Sequence, residues 1–380
     1  MKQDVAQLRN RLSVAAAQVP EALSFMEVCG THTVAGFRTG LHAMLPANVK
    51  LLSGPGCPVC VTAQGDIDLM VDVALEAKVT LFTYGDMLKV PGTHGNLELA
   101  RSRGAKVKVL YSTLDAVKYA QTNPQEQVVL GAVGFETTTP ATAVAIMEAQ
   151  KLGLTNFSVL ASHKVLLPAL RALLDGGEVK VHGFLCPGHA SIILGSDAFR
   201  PLVRDYGMPC VVAGFEVEQM LAGMARLTEM VADGMPDLDN VYPQVVKPEG
   251  NRVAQTIIAK VFEPAPAKWR ALGEIPGSGL RVRDSYAEFD AVRRFGLVAG
   301  NAPEPAGCRC GEVITGRCTP AECKLFARKC TPLSPVGPCM VSSEGSCAAW
   351  FKYGRLVVAA GAAFGERNAP PGATTNEVLA

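Results

Sequence analysis

Ser24 to Pro46 reads SFMEVCGTHTVAGFRTGLHAMLP, and its two halves have different periods. SFMEV is a short apolar run of the kind that forms a buried strand. Val34, Phe37, Leu41 and Leu45 then recur at spacings of three and four, the period of a helix, until Pro46 ends it. A strand that turns directly into a helix is half of a βα unit, and the same rhythm continues from Leu23 to about Gly234. VKLLS, VTLFTYG, KVKVLYS, QVVLGAVG, NFSVLAS, KVHGFLC and PCVVAG each precede a helix-like stretch. Such a series predicts an α/β fold with doubly wound parallel sheets. Its length, and the loose echo between GFETTTP at Gly134 and GFEVEQM at Gly214, suit two similar domains better than one. The expected organisation is a helical segment over 1–24 packing on the third domain, α/β domains over 25–124 and 125–235, and a Cys-rich third domain over 236–380. Its tail from Glu366 is expected to fray.

Composition narrows the chemistry. The 380 residues are 48% hydrophobic, enough for buried cores, and the formal net charge is only +1. No block of Lys or Arg supplies the field that nucleic acid or an anionic membrane surface needs, so neither is an expected partner. Apolar runs such as Gly183 to Ser196 fall short of the roughly 18 to 20 residues a bilayer demands, and Met1 to Pro20 carries charges without a signal-type apolar centre. A cytoplasmic location is expected. In that reducing compartment twelve cysteines point to metal or thiol chemistry rather than to disulfide staples.

Ligands of such sheets gather at the carboxyl ends of the strands. The unusual residues of this chain recur there: Cys29 and His32, Cys57 and Cys60, Gly85-Asp86, Glu136, Ser162-His163, Cys186 and His189 in CPGHAS, and Glu216. Cys29 opens a helix, where amides are expected to lower its thiol pKa and make it a nucleophile or metal ligand; the plainer reading is a buried cysteine beside a capping threonine. Cys57 and Cys60 form a CxxC loop suited to a reversible disulfide or to half a zinc site. No second CxxC completes a zinc ribbon, which favours redox chemistry. Glu136 and Glu216 could simply cap the helices that follow. Seven cysteines, Cys308, Cys310, Cys318, Cys323, Cys330, Cys339 and Cys347, crowd a loop-rich segment punctuated by prolines. An iron-sulfur cluster would staple it, with zinc as the alternative, although the segment holds no histidine.

The ordered set MEVCGTHT, GPGCPVC, FTYGDMLKVPG, GFETTTP, FLCPGHAS, VVAGFE, CRCGEVITG and CMVSSEGSCAAW resembles the HypD family of nickel-iron hydrogenase maturation proteins, from Met26 to Tyr353. The resemblance implies two α/β domains, a third domain with a [4Fe-4S] cluster, and a scaffold that acts with HypC. On it, iron carrying cyanide and carbon monoxide would be assembled, the cyanide arriving from HypE. It places the iron-binding thiolate on Cys29, with a HypC cysteine as co-ligand. It places the cluster on Cys310, Cys323, Cys330 and Cys347, with Cys339 as the alternative ligand. Glu136, Cys186 and His189 join Cys29, His32, Cys57 and Cys60 as candidate reactive residues. A cluster-fed thiol-disulfide oxidoreductase and an ATP-hydrolysing assembly factor are the competing activities, so whether the chain is itself an enzyme stays open. No GxxxxGK[ST] is present.

Overall fold

The computed structural model describes residues 4–359. All eight expected strands form: β1 (Leu23–Glu27), β2 (Val49–Ser53), β3 (Val79–Thr83), β4 (Lys106–Val109), β5 (Gln127–Gly134), β6 (Phe157–His163), β7 (Gly183–Pro187) and β8 (Cys210–Ala213). Three more were hidden in the sequence: a short β9 (Leu238–Asn240) and the antiparallel hairpin β10 (Phe262–Trp269) and β11 (Gly273–Val282). The strands sort into two wholly parallel sheets, ordered β2-β1-β7-β8-β9 and β4-β3-β5-β6. The α/β class with two parallel-sheet units therefore stands.

The expected boundaries do not. The described residues fold into two discontinuous units, 4–57 with 170–251 and 307–359, and 58–169 with 252–306. Residue 124 falls inside the second unit and residue 235 inside the first. A βα rhythm records each strand but not its neighbour, and here β7 returns beside β1 after four strands have built the other sheet. The Cys-rich segment is likewise no separate body. It belongs to the first unit, where the last helix, Ser346–Ala359, packs on the helix Gly30–Arg38 and the Trp350 and Phe37 rings meet at 5.2 Å.

Two smaller expectations are corrected. The N-terminal helix Val5–Ala17 packs on the helix Val217–Ala232 rather than on the Cys-rich segment. Its stripe of Leu8, Leu12 and Ala16 enters the core beside Met220, Met224 and Leu227, and Arg11 reaches both carboxylate oxygens of Glu229 at 3.0 Å. The apolar period from Val34 to Leu45 spans two helices, Gly30–Arg38 and Leu41–Met44. Gly40, at φ +71°, breaks the run where a residue with a Cβ would be strained. The tail expected to fray lies outside the described residues. Among those described, no helix is long and apolar enough to cross a membrane.

Both sheets share one device. In the first, the chain steps from β1 to β2 on one side and from β7 to β8 on the other; in the second, from β3 to β4 and from β5 to β6. Neighbouring connections that leave in opposite directions open a crevice at the carboxyl ends of the two central strands. The first crevice lies beyond β1 and β7, the second beyond β3 and β5.

Candidate metal centre

The first crevice receives Cys29 from β1 and His189 from β7. Cys29 precedes the helix Gly30–Arg38 in extended conformation, φ −150° and ψ 121°. His189 lies in the helix Gly188–Leu194. Thr31 connects them: its hydroxyl donates to Glu344 Oε1 at 2.6 Å and lies 3.5 Å from His189 Nδ1. The ring of Phe215, past β8, stands 4.0 Å from that of His189 and 4.7 Å from that of His32. His32 is fully buried, and its Nε2 lies 3.0 Å from the Gly214 carbonyl. A carbonyl only accepts, so Nε2 carries the proton and Nδ1 is a buried lone pair without a hydrogen-bond partner. Burial holds His32 down to about 4, so the ring is neutral at physiological pH.

Glu27 closes the floor of this crevice. It accepts from the Cys29 amide at 2.9 Å and from the Thr33 hydroxyl. Burial raises it to about 8. The Cys29 thiol is pushed up to about 12, first by burial and then by the charges of Glu344 and Glu27; the amides of Thr31 and His32 only partly oppose them. The thiolate expected from the helix N-terminus is thus corrected: desolvation outweighs the amides, and the thiol keeps its proton until a cation takes its place.

The glycines of the neighbouring motifs are explained by contact between backbones. The Gly30 amide donates to the Gly56 carbonyl at 3.1 Å, and a Cβ on Gly56 would collide with the backbone of Val28 and Cys29. A Cβ on Gly30 would lie 2.5 Å from the Glu344 carbonyl. CGTHT, GPGC and the SSEG segment therefore converge. Cys57 is buried, its Sγ is 3.4 Å from the Ser342 hydroxyl oxygen, and that oxygen accepts from the Glu344 amide at 3.2 Å. Cys57 and Cys60 are disulfide-bonded.

Six of the seven C-terminal cysteines, Cys308, Cys310, Cys323, Cys330, Cys339 and Cys347, line one small pocket. Cys318 lies elsewhere, on a larger groove beside Arg317 and Trp350. Among the described residues no three His, Cys, Asp or Glu side chains are drawn together tightly enough for a single metal ion. A cluster spreads its four sulfurs over a wider tetrahedron than one ion does, and an all-thiol donor set with the Val336 amide 3.3 Å from Cys330 Sγ suits it. Five of the six, including the four expected ligands and Cys339, are buried.

A family profile named HypD, described as the hydrogenase formation hypA family, matches residues 3–354. The chain belongs to the HypD family. Among similar proteins, the hydrogenase maturation factor HypD of Azotobacter vinelandii is 46% identical over 338 residues, 87% of this chain and 89% of that protein. The hydrogenase expression/formation protein HupD of Azotobacter chroococcum is 43% identical, with 93% and 95% covered. The hydrogenase maturation factor HypD of Escherichia coli K12 is 42% identical, with 92% and 94% covered.

In this HypD family member the other expected site residues separate. Glu136 follows β5 in the second unit; its Oε1 accepts from the Leu166 amide at 2.9 Å, its buried Oε2 has no partner, and burial raises it to about 7. Cys186 does not join His189. It lies inside β7 with no exposure, its thiol meeting that of Cys210 on β8, because the strand runs to Pro187 and the last residues of a parallel strand still face the core. Reading the sequence alone missed Glu27 and Glu344, and it offered Thr31 only as a helix cap, whereas its hydroxyl goes to Glu344. Glu27 had one signal, a carboxylate ending an apolar strand; Glu344 had only its place within SSEGSC.

Proposed function

We propose that the chain is a cytoplasmic scaffold and redox-active iron carrier for hydrogenase maturation, on which iron with cyanide and carbon monoxide ligands is assembled. The convergence of the Cys29 turn, the GPGC loop and the SSEG segment at one strand-end crevice is the observation that carries this reading. Cys29 gives up its proton to bind the iron as a soft thiolate, which suits Fe(II) better than a hydroxyl or amine would. HypC supplies a second thiolate and HypE the cyanide. His32 and His189 orient the site, and Glu136 holds a proton near neutrality in the second unit. Cys57 and Cys60 accept two electrons and one proton as their S–S bond opens to a thiol and a thiolate. A [4Fe-4S] cluster held by Cys310, Cys323, Cys330 and Cys347, with Cys339 as the alternative ligand, supplies one-electron transfer when bound.

The deciding experiment is an anaerobic infrared spectrum of the chain purified with HypC. Bands of bound cyanide and carbon monoxide are expected. A complex active in maturation yet without those bands would overturn the iron-carrier reading. Turnover of a disulfide substrate without HypC would then favour an oxidoreductase, and ATP hydrolysis lost with the crevice residues an ATP-driven factor.

A further inference from the structure

The CxxC motif continues into the second unit through the short helical turn Pro58–Val61, and a buried arginine that none of the motifs contains grips that turn. Arg270 lies at the tip of the β10–β11 hairpin and is 2% exposed. Its amide donates to the Val61 carbonyl at 2.8 Å, its Nε to the Cys60 carbonyl at 3.2 Å, and one Nη to the Thr62 carbonyl at 3.1 Å and Gln64 Oε1 at 3.4 Å. The other Nη is buried without a hydrogen bond; the nearest carboxylate, Glu304 Oε2, stands 3.6 Å away. Thr62 also pairs with Trp269, the residue before the arginine.

A guanidinium with no side-chain exposure is costly to bury, and this one meets neutral carbonyls and an amide at hydrogen-bond distance, with a half-exposed carboxylate further off. Its charge is therefore only partly compensated where it touches Cys60. The planar fork spans the turn from the Cys60 carbonyl to the Thr62 carbonyl and Gln64 Oε1, while the backbone amide of the same residue takes the Val61 carbonyl between them, a geometry that a lysine cannot reproduce.

We propose that Arg270 is the positioning residue of the Cys57–Cys60 couple: it holds the Cys60 end of the loop in both oxidation states and stabilises the reduced form through its buried positive charge. The proposal rests on the redox reading of these cysteines given above. On reduction the S–S bond breaks, two electrons and one proton enter, and a thiol and a thiolate result. The cation favours the thiolate that is formed beside it. The electrons come from a dithiol, which is itself oxidised to a disulfide.

The test is equilibration of the full-length protein in dithiothreitol buffers of graded ratio, with thiol labelling to count reduced Cys57 and Cys60. Arg270→Gln should lower the equilibrium constant for reduction about tenfold, a shift of about 30 mV to more negative potential. Arg270→Lys, which keeps the charge but not the fork, should recover most of that shift. Glu304 is exposed, so Glu304→Gln tests the same charge without disturbing the core; it should move the couple the opposite way, about threefold towards the reduced form. If Arg270→Gln unfolds, the sign of the Glu304→Gln shift decides. Coincident potentials in the wild type and Glu304→Gln, or in the wild type and a folded Arg270→Gln, overturn the role given to Arg270 and leave the redox reading standing. A wild-type couple that yields no thiols before the protein unfolds sinks both.

Discussion

Gly134-Phe135-Glu136 and Gly214-Phe215-Glu216 are the same tripeptide at the end of a parallel strand in each unit, and their glutamates meet opposite fates. Each glycine is required for one reason: the chain folds back over it. A Cβ on Gly134 would collide with the Thr138 hydroxyl, and one on Gly214 with the Gln219 amide. The glutamates then part. Glu136 turns inward, 4% exposed, to take the Leu166 amide. Glu216 stays in solvent as the N-cap of the helix Val217–Ala232, in a capping box with Gln219. In the first unit His32 occupies the inward position, bound to the Gly214 carbonyl, with Phe215 against it. What a strand-end residue does is set by what the adjacent strand delivers to the same crevice, not by its own motif.

The comparison is sharpened most by Cys29, which β1 delivers to the crevice that Glu216 does not enter. Cys29→Ser changes one atom in a turn held by backbone contacts. On the function proposed above, the variant should fold, keep the cluster chromophore and associate with HypC, yet lose the infrared bands of iron-bound cyanide and carbon monoxide entirely. Cys186→Ser, in the core beside Cys210, should keep them. Wild-type band intensity in Cys29→Ser would move the iron elsewhere and dissolve the distinction between the two strand ends.

The glycines come next. Thr138 Cβ, attached at the start of a helix, would stand 2.8 Å from an added Cβ at Gly134, whereas at Gly214 the nearest atoms belong to the far end of the flexible Gln219 side chain. Gly134→Ala should therefore destabilise by about 2 to 4 kcal/mol through overpacking. Gly214→Ala should cost about 1 kcal/mol, because Gln219 swings away and only the capping box is lost. Denaturant unfolding of the two variants gives the order, and equal losses would mean that the two turns are not different in the way described.

Much of this was legible in the chain. Eight strands declare themselves because each is a short apolar run bounded by helical periodicity, and Cys29, Cys57 and the C-terminal cysteines announce themselves by residue type and spacing. Strand order left no trace, since nothing in KVHGFLC says that it pairs with SFMEV rather than with NFSVLAS; the domain boundaries failed for that reason. Cys186 was misplaced because the sequence does not show where strand yields to turn within a single residue. The low thiol pKa expected for Cys29 failed because amides are visible in a sequence and desolvation is not. β10 and β11 were hidden by Pro264, Pro266 and Pro276 within them, which read as loop yet are accommodated in a two-stranded, irregular hairpin.

Buried carboxyl against exposed carboxyl should also appear as a dependence on pH. Glu136 in the folded protein keeps its proton up to about 7, whereas in the unfolded chain it loses it near 4.5. Between those values the folded state binds more protons, so this group's contribution to stability is full below about 4.5, is lost as pH rises through 7, and is constant above. The amide that Glu136→Gln introduces does not ionise. The stability of that variant relative to wild type should accordingly rise across the window by up to about 3 kcal/mol, read from unfolding midpoints at several pH values. A difference that does not change with pH would mean that Glu136 is ionised in the fold.

The smallest effect belongs to Glu216, and it is the one that isolates capping. Glu216 and Gln219 form a capping box in which the Gln219 side chain accepts from the Glu216 amide at 3.2 Å, tying the first turn to its cap. The helix it begins carries Met220, Met224 and Leu227 into the core, which holds it in place whatever happens at the cap. Glu216→Ala should cost about 1 kcal/mol, the ordinary worth of an N-cap, and leave the infrared bands of the HypC complex unchanged. Loss of those bands with stability intact would show Glu216 reaching the crevice in the working complex, and the two Gly-Phe-Glu turns would then be the same device after all.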